Sequence, residues 1–176
     1  MKLFLNNKRI VDINEPDEDG WTPFYAACEK GQIEIVKLLL NTERVDINKA
    51  SELEQTPPFY VACQNGHTEV MKLLLNDERI DINSSSFLHF TCRNGYIQGV
   101  QHILAMRREI NLNVPDYQGM TLICRAKEGK EYRRSESEEA FHERSRNCTD
   151  IIELLESFQR NPNETRTKLR IQLGLD

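Results

Sequence analysis

Cysteine and histidine are the residues of this sequence whose types and spacing could support chemistry. Cys28, Cys63 and Cys92 recur in similar contexts, and His67 follows Cys63 by four residues. A structural zinc site needs four converging ligands at short paired spacings, and the sequence contains no such set. A Cys–His nucleophilic pair has little support among four histidines. We therefore predict no catalytic residue, no metal and no cofactor, and interpret the three cysteines as buried core residues.

Composition and charge are typical of a soluble globular protein. Of the 176 residues, 39% are hydrophobic and 29% are charged, and the net charge is −5. This acidic balance argues against a nucleic acid partner. The sequence has one basic patch near its end, which we interpret as a solvated helix face; its residues are Arg160, Arg166, Lys168 and Arg170. Apolar runs are too short to cross a bilayer, so no membrane is expected. Five cysteines without a C-x-x-C pair, and an N-terminus without a signal-peptide pattern, predict a cytoplasmic or nuclear location.

The cysteines belong to a repeat. Residues 24–48 align with residues 59–83 at an offset of 35, with 16 identities in 25 positions. In the first copy, Thr22 can cap a helix that begins at Pro23, and Gly31 can end it before the apolar run "IEIVKLLLN" (33 to 41). Helices of eight or nine residues are marginal alone in water, so they must bury their apolar faces on neighbouring copies. The repeat therefore predicts a solenoid of stacked helix pairs.

The stretch "DEDGWTPFYAACEKGQIEIVKLLLNTERVDIN" (17 to 48) resembles an ankyrin repeat. The residues that match the family pattern are Asp17, Gly20, Thr22, Pro23, Phe24, Ala27, Gly31, Glu34, Val36 and Leu38 to Leu40. This resemblance implies an all-α fold, an ankyrin-repeat solenoid of stacked helix-turn-helix units with short β-hairpin fingers. We expect a repeat domain over residues 1–158 and a C-terminal capping helix within 159–176. The expected divisions are a partial unit at 1–14 and units at 15–48, 49–83, 84–113 and 114–158, the last with an insertion at 131–147.

Two departures from the repeat fall in the middle of the chain. At the start of the first helix of unit two stands "TPPF" (56 to 59) with a second proline, Pro58, so either one residue is inserted or the Thr-Pro pair has shifted by one. The third junction, from Asn83 to Leu88, is shorter than the others and leaves little room for a finger. Gly99 also lies within the second helix of unit three, at a cost of about 1 kcal/mol relative to alanine. We therefore expect unit three to be the weak joint.

The insertion "EYRRSESEEAFHERSRN" (131 to 147) interrupts the fourth unit. It contains five glutamates and four arginines, and Tyr132 and Phe141 are its large apolar residues. We interpret it as a solvated extension of two helices or a disordered loop, and a partner-contacting loop is the alternative.

The tail carries the signals of a helix that covers the last repeat. Asn161 can cap the helix, and Pro162 fits its first position. Glu164 can complete a capping box, and Gly174 can end the helix. Leu169 and Leu173 share one face of this helix, which suits a capping role at the end of a solenoid.

In the ankyrin-repeat family, finger tips and first-helix surfaces form a concave groove for a protein partner, without catalysis. Carried over position by position, the resemblance implies partner-binding residues at Glu18, Asp19, Trp21, Glu29, Lys30, Leu53, Glu54, Gln64, Asn65, Arg93, Asn94, Tyr117, Gln118 and Met120. Trp21 is expected on an exposed turn, either as an interface anchor or packed on the next finger. Because residues 15–48 carry eight acids and three bases, we expect a partner with a basic segment.

Two functions fit these expectations. The first is a non-catalytic protein-binding module that acts as a monomer. The second is a spacer or regulatory ankyrin segment of a larger multidomain protein whose activity lies elsewhere, and the incomplete first unit favours it.

Overall fold

The computed structural model describes residues 12–53, 56–80, 85–106, 109–131 and 136–175, with the backbone alone for 85–87. Within these ranges the chain is all-α, and no residue lies in a strand. The predicted partial unit at 1–14 falls outside the described residues except for 12–14. The helices are α1 (Pro23–Glu29), α2 (Ile33–Leu40), α3 (Pro58–Gln64), α4 (Thr68–Asn76), α5 (Ser85–Arg93), α6 (Ile97–Ala105), α7 (Leu122–Gly129), α8 (Glu138–Arg160) and α9 (Pro162–Leu173).

The helices stack in two rows. Each odd-numbered helix from α1 to α7 packs on the helix that follows it, and the odd-numbered helices also pack on one another in chain order. The second row, α2, α4, α6 and α8, stacks in the same order. The prediction that short helices bury their faces on neighbouring copies is therefore confirmed.

One continuous apolar core runs through the stack. Phe24, Phe59 and Leu88 occupy the same place on successive first helices, and all three are buried. The equivalent Cys28, Cys63 and Cys92 are buried too, as expected from the sequence. Since these side chains reach into the contacts between units, each copy depends on its neighbour's face to fold.

The start and end of α1 follow the sequence signals. The Thr22 hydroxyl accepts a hydrogen bond from the backbone N–H of Tyr25 (3.1 Å), and Pro23 is the first helical residue. Gly31 follows the helix with φ of 63°, and a Cβ atom there would lie 2.6 Å from the His67 ring. His67 in turn donates from Nε2 to the Glu29 carbonyl (2.9 Å), so unit two binds the end of α1.

The second proline is accommodated by an extra residue in the preceding turn. The N–H of Ser51 donates to the Thr56 carbonyl, five residues on, whereas Asp17 makes the equivalent bond to Trp21, four residues on (both 3.0 Å). Helix α3 then begins at Pro58, with Pro57 in the cap position and no side-chain cap bond. One residue is therefore inserted before Thr56, and the proline pair replaces the Thr-Pro pair at the helix start.

Unit three joins its neighbour tightly at Gly99. A Cβ atom at this position would lie 2.9 Å from Cys63 Sγ and 3.1 Å from Thr91 Cγ2. The glycine thus permits a close approach of α6 to unit two, which is a reason for its presence that the sequence did not reveal. Helix α5 begins at Ser85, so only residues 81–84 separate it from Ile80, and these lie outside the described residues.

The insertion lengthens a helix. Residues 138–147 are the first ten residues of α8 and not a loop. Arg144 in this segment is buried, and its guanidinium binds the Glu136 carboxylate and the Glu131 carbonyl (2.9 Å to the latter). A Cβ atom at Gly95 of unit three would lie 3.0 Å from the Arg144 carbonyl oxygen, so the segment also packs on the array and is not fully solvated.

Helix α9 has the predicted termini. The Asn161 side chain accepts from the N–H of Glu164 (3.3 Å) and donates to its carboxylate (2.9 Å), and Gly174 ends the helix with φ of 64°. Helix α9 packs on α6 and α8, and Leu169 is buried in the common core. Among the described residues, no helix is long and apolar enough to cross a membrane.

Candidate functional site

Two turns carry several of the predicted site residues, and they share one backbone geometry. In turn one (residues 17–21), the N–H of Gly20 donates to the Asp17 carbonyl (3.0 Å), and Oδ1 of Asp17 accepts from the N–H groups of Asp19 (3.1 Å) and Trp21 (2.9 Å). The carboxylate of the first residue thus fixes the turn that precedes α1. Glycine is required at Gly20 because its φ is 73°.

Turn four (residues 116–120) repeats this arrangement before α7. Gly119 donates to the Asp116 carbonyl (2.9 Å), and Oδ1 of Asp116 accepts from the N–H groups of Gln118 (2.9 Å) and Met120 (3.0 Å). Thr121 then caps α7 by accepting from the N–H of Cys124 (3.3 Å). The same turn motif therefore occurs in both unit one and unit four.

The second carboxylate oxygen distinguishes the two turns. In turn four, Oδ2 of Asp116 accepts from Nε of Arg125 (2.5 Å), and Nη2 of Arg125 also contacts it. The same guanidinium binds Glu128 (2.6 Å) and Gln118 (2.7 Å). Both members of the central pair are buried, and Arg125 is only 5% exposed. At the position equivalent to Arg125, unit one has Ala26, so Asp17 has no such cation in its own unit.

The charges of this pair are mutually stabilised. Burial alone would raise the pKa of the Asp116 carboxyl, but the bonds from Met120, Arg125 and Gln118 outweigh burial, and this pKa is lowered. Burial acts to lower the pKa of Arg125, yet its bonds to Glu128 and Asp116 raise it. Both groups are therefore ionised at neutral pH.

The two turns also differ in their neighbours. In turn two (residues 51–56, with 54 and 55 outside the described residues), the N–H of Glu52 donates to the Gly20 carbonyl (3.0 Å), and a Cβ atom at Gly20 would lie 2.9 Å from that of Glu52. In the described part of the chain, no atom beyond its own neighbours lies within 4 Å of a Cβ position at Gly119. Turn one is therefore packed on turn two at its glycine, and no described residue packs on turn four at the equivalent point.

The predicted tip residues have different exposures. Tyr117 and Leu53 are 81% and 74% exposed, and Glu18 and Asp19 are also exposed. Glu54 lies outside the described residues. Trp21 was expected on an exposed turn but is half-buried, because its ring packs on Tyr25 of the same unit, with a centroid distance of 5.6 Å.

The predicted residues at the ends of the first helices are partly engaged in bonds between units. The Asn65 side chain donates to the Glu29 carbonyl (3.1 Å), which ties unit two to unit one. Arg93 lies 3.7 Å from the Glu128 carboxylate, which links unit three to the Arg125 cluster. Asn94 donates to the Phe90 carbonyl within its own helix (2.9 Å). Lys30 and Gln64 are exposed, while Met120 is half-buried.

Comparison with protein families decides the identity of the repeat. The family model described as "Ankyrin repeats (3 copies)" matches residues 1–86 and again residues 43–116. These two matches together span well over half of the chain. The chain belongs to the ankyrin-repeat family. None of the curated proteins compared with it matches this chain.

The ankyrin fold explains why the cysteines do not suggest catalysis. Burial raises the pKa of Cys28 to about 12, and it also raises those of Cys63 and Cys92. Thiols with such pKa values are not nucleophiles at neutral pH. Within the described ranges, no group of three or more His, Cys, Asp or Glu side chains is placed to hold a metal ion. The ankyrin-repeat family is typically non-catalytic and mediates protein–protein interactions.

Sequence reasoning missed Arg125 and Glu128 in this ankyrin array. A charged residue on a short helix is usually solvated, so neither stood out from the pattern. One signal was present: the positions equivalent to Arg125 are Ala26, Val61 and Phe90, and a charge among apolar residues requires a partner.

Proposed function

We propose that this ankyrin array binds a protein partner through the concave face formed by its turns and first helices. One observation carries the proposal: Tyr117 and Leu53 are the most exposed large hydrophobic side chains in the described part of the chain. Both lie at positions where the family resemblance places partner contacts. An exposed aromatic ring beside polar groups is typical of an interface anchor.

The partner surface is proposed to include a basic segment. Glu18 and Asp19 are exposed at turn one, and residues 15–48 carry eight acids and three bases. Opposite charges speed encounter and help to select the partner, although they add little affinity at an exposed rim. Trp21 contributes its accessible edge to this end of the face.

The finer architecture is part of the same proposal. Turns one, two and four form the tips of short β-hairpin fingers, and α9 closes the array by covering α6 and α8. The chain acts as a monomer in the cytoplasm or nucleus, where its five cysteines stay reduced; none of the five forms a disulfide bond in the structure.

A spacer or regulatory segment within a larger protein is the second candidate. It is favoured by Ile35 and Leu38 of α2, which are 45% and 67% exposed. Val70, the equivalent of Ile35 in unit two, is fully buried. Ile35 and Leu38 thus form an exposed apolar surface on α2, of the kind that a neighbouring repeat covers in a longer array.

Affinity capture from a cell lysate tests the first candidate. The immobilised native chain is compared with a Leu53→Ser/Tyr117→Ser chain, and with a Glu18→Lys/Asp19→Lys chain that leaves the half-buried Trp21 intact. Ile171→Ser is the matched control, since Ile171 is 69% exposed on α9, away from the turns.

The expected result is a protein retained by the native and Ile171→Ser chains and lost with the Leu53/Tyr117 change. A weaker loss that disappears at high salt is expected for the charge reversal. A partner that survives both changes at the turns contradicts binding at this face. Absence of any specific partner favours the spacer.

A further inference from the structure

We propose that Arg125 is a positioning residue that holds turn four in one conformation and fixes which end of the Gln118 carboxamide faces outward. Its value for partner recognition rests on the proposed function. The positioning itself is a property of the free chain and is measurable without a partner.

The guanidinium of Arg125 has a hydrogen-bond partner at each of its three nitrogens. Nε donates to Asp116, Nη1 to Glu128 and Nη2 to Gln118, at 2.5, 2.6 and 2.7 Å. The bonds to Asp116 and Glu128 are charge-assisted, and Arg125 and Asp116 are both buried, whereas Gln118 is exposed. Asp116 and Gln118 are both turn residues, so one side chain from α7 holds the turn at two points.

The bond to Gln118 also determines the orientation of its side chain. A guanidinium only donates, so the amide oxygen of Gln118 must face Arg125 and its Nε2 group lies on the other side. Turn four therefore offers two N–H donors next to the exposed ring of Tyr117. A partner that fits this tip supplies a carbonyl or carboxylate acceptor beside an apolar side chain.

Arg125 gives turn four a support that turn one does not have. Turn one is bonded to turn two through Glu52, whereas a Cβ atom at Gly119 would meet no such neighbour in the described residues. Unit one has Ala26 at the position of Arg125, so this support from within the unit is specific to unit four.

Amide hydrogen exchange of the ¹⁵N-labelled full chain tests the positioning. The reporters are the N–H groups of Gln118 and Met120, which donate to Asp116, and the internal control is the equivalent pair, Asp19 and Trp21. In Arg125→Met we expect exchange in turn four to accelerate by roughly tenfold or more, with less than about a twofold change in turn one. Equal acceleration in both turns, or none in turn four, overturns the proposal.

Arg125→Lys decides the question if the methionine variant does not fold. Lysine keeps the charge but cannot reach three acceptors, so an intermediate acceleration confined to turn four is expected. Exchange at the native rate in that variant overturns the proposal.

The Gln118 orientation has its own matched pair. Gln118→Glu still presents an oxygen to Arg125 and is expected to keep the amide exchange of turn four slow. Gln118→Lys places a positive charge beside the guanidinium, and the repulsion is expected to accelerate that exchange. If both variants accelerate exchange equally, the assigned orientation is wrong. None of these readouts depends on a partner, so failure of the positioning is distinct from failure of the proposed function.

Discussion

The stretches "DEDGWT" and "DYQGMT" of turn one and turn four share their Asp, Gly and Thr, and they adopt the same hydrogen-bonded turn. They are nevertheless stabilised by different means. Turn one is bonded to Glu52 of the neighbouring turn two, and turn four is bonded to Arg125 of the helix that follows it, α7. Turns of the same geometry in one repeat array can thus be stabilised by different contacts, one from a neighbouring turn and the other from the following helix of the same unit.

This difference has an energetic consequence. A buried ion pair contributes little net stability relative to apolar residues of the same size, but removal of one partner leaves an uncompensated charge. A lateral contact between turns depends instead on close packing. Removal of the charge at Arg125 should therefore destabilise turn four, and added side-chain volume at Gly20 should destabilise turn one.

The largest expected effect is that of Arg125→Met. The change leaves the buried Asp116 carboxylate without its cation, and we expect the free energy of unfolding to fall by about 3–5 kcal/mol. Urea denaturation measures this loss. Ala26→Arg, the reverse change at the equivalent position of unit one, should alter stability by less than about 1 kcal/mol, because Asp17 is exposed. Similar losses in the two variants would show that the turns are not supported differently.

Alanine at the two turn glycines is the next test. Both glycines have positive φ, so each change should cost about 1–2 kcal/mol from backbone strain. Gly20→Ala also places a Cβ atom 2.9 Å from that of Glu52, which should add about 1–3 kcal/mol. Thermal or urea unfolding of the two variants gives the difference. If Gly119→Ala is the more costly change, the packing of turn one on turn two is not the support inferred here.

The pH dependence of stability provides a smaller effect. Because the pKa of Asp116 is lower in the folded chain than the usual value of about 3.9, its contribution is complete above that value and is lost as pH falls through the folded-state pKa. The stability difference between the native chain and Asp116→Asn should therefore be constant near neutral pH and shrink in acid. Urea titrations at several pH values check this. A difference that grows on acidification would reverse the sign and refute the assignment.

Much of the local structure could be predicted from the sequence. The cap at Thr22, the proline start of α1 and the Asn161–Glu164 cap of α9 depend on residues close together in the chain, and all are present. The buried cysteines were predictable because their spacing repeats with the units. Short-range spacing and regular recurrence are the features that sequence patterns record well.

The site was less predictable, because its contacts depend on three-dimensional placement. The half-burial of Trp21 depends on the packing of its ring on Tyr25, which the sequence pattern does not reveal. The Arg125 cluster joins residues of a turn, a helix and the neighbouring unit, and none of these spacings is a known motif. The insertion was expected to be a solvated extension of two helices or a disordered loop, and its residues 138–147 form the start of α8, in which Arg144 is buried.

Site-specific photocrosslinking tests the central claim most directly. A benzoylphenylalanine side chain is placed in turn at positions 117, 53 and 171, which are similarly exposed in the native chain. The account predicts that the same protein is crosslinked from positions 117 and 53, and not from 171. Adducts that form equally from all three positions, or only from position 171, would contradict recognition through the turns.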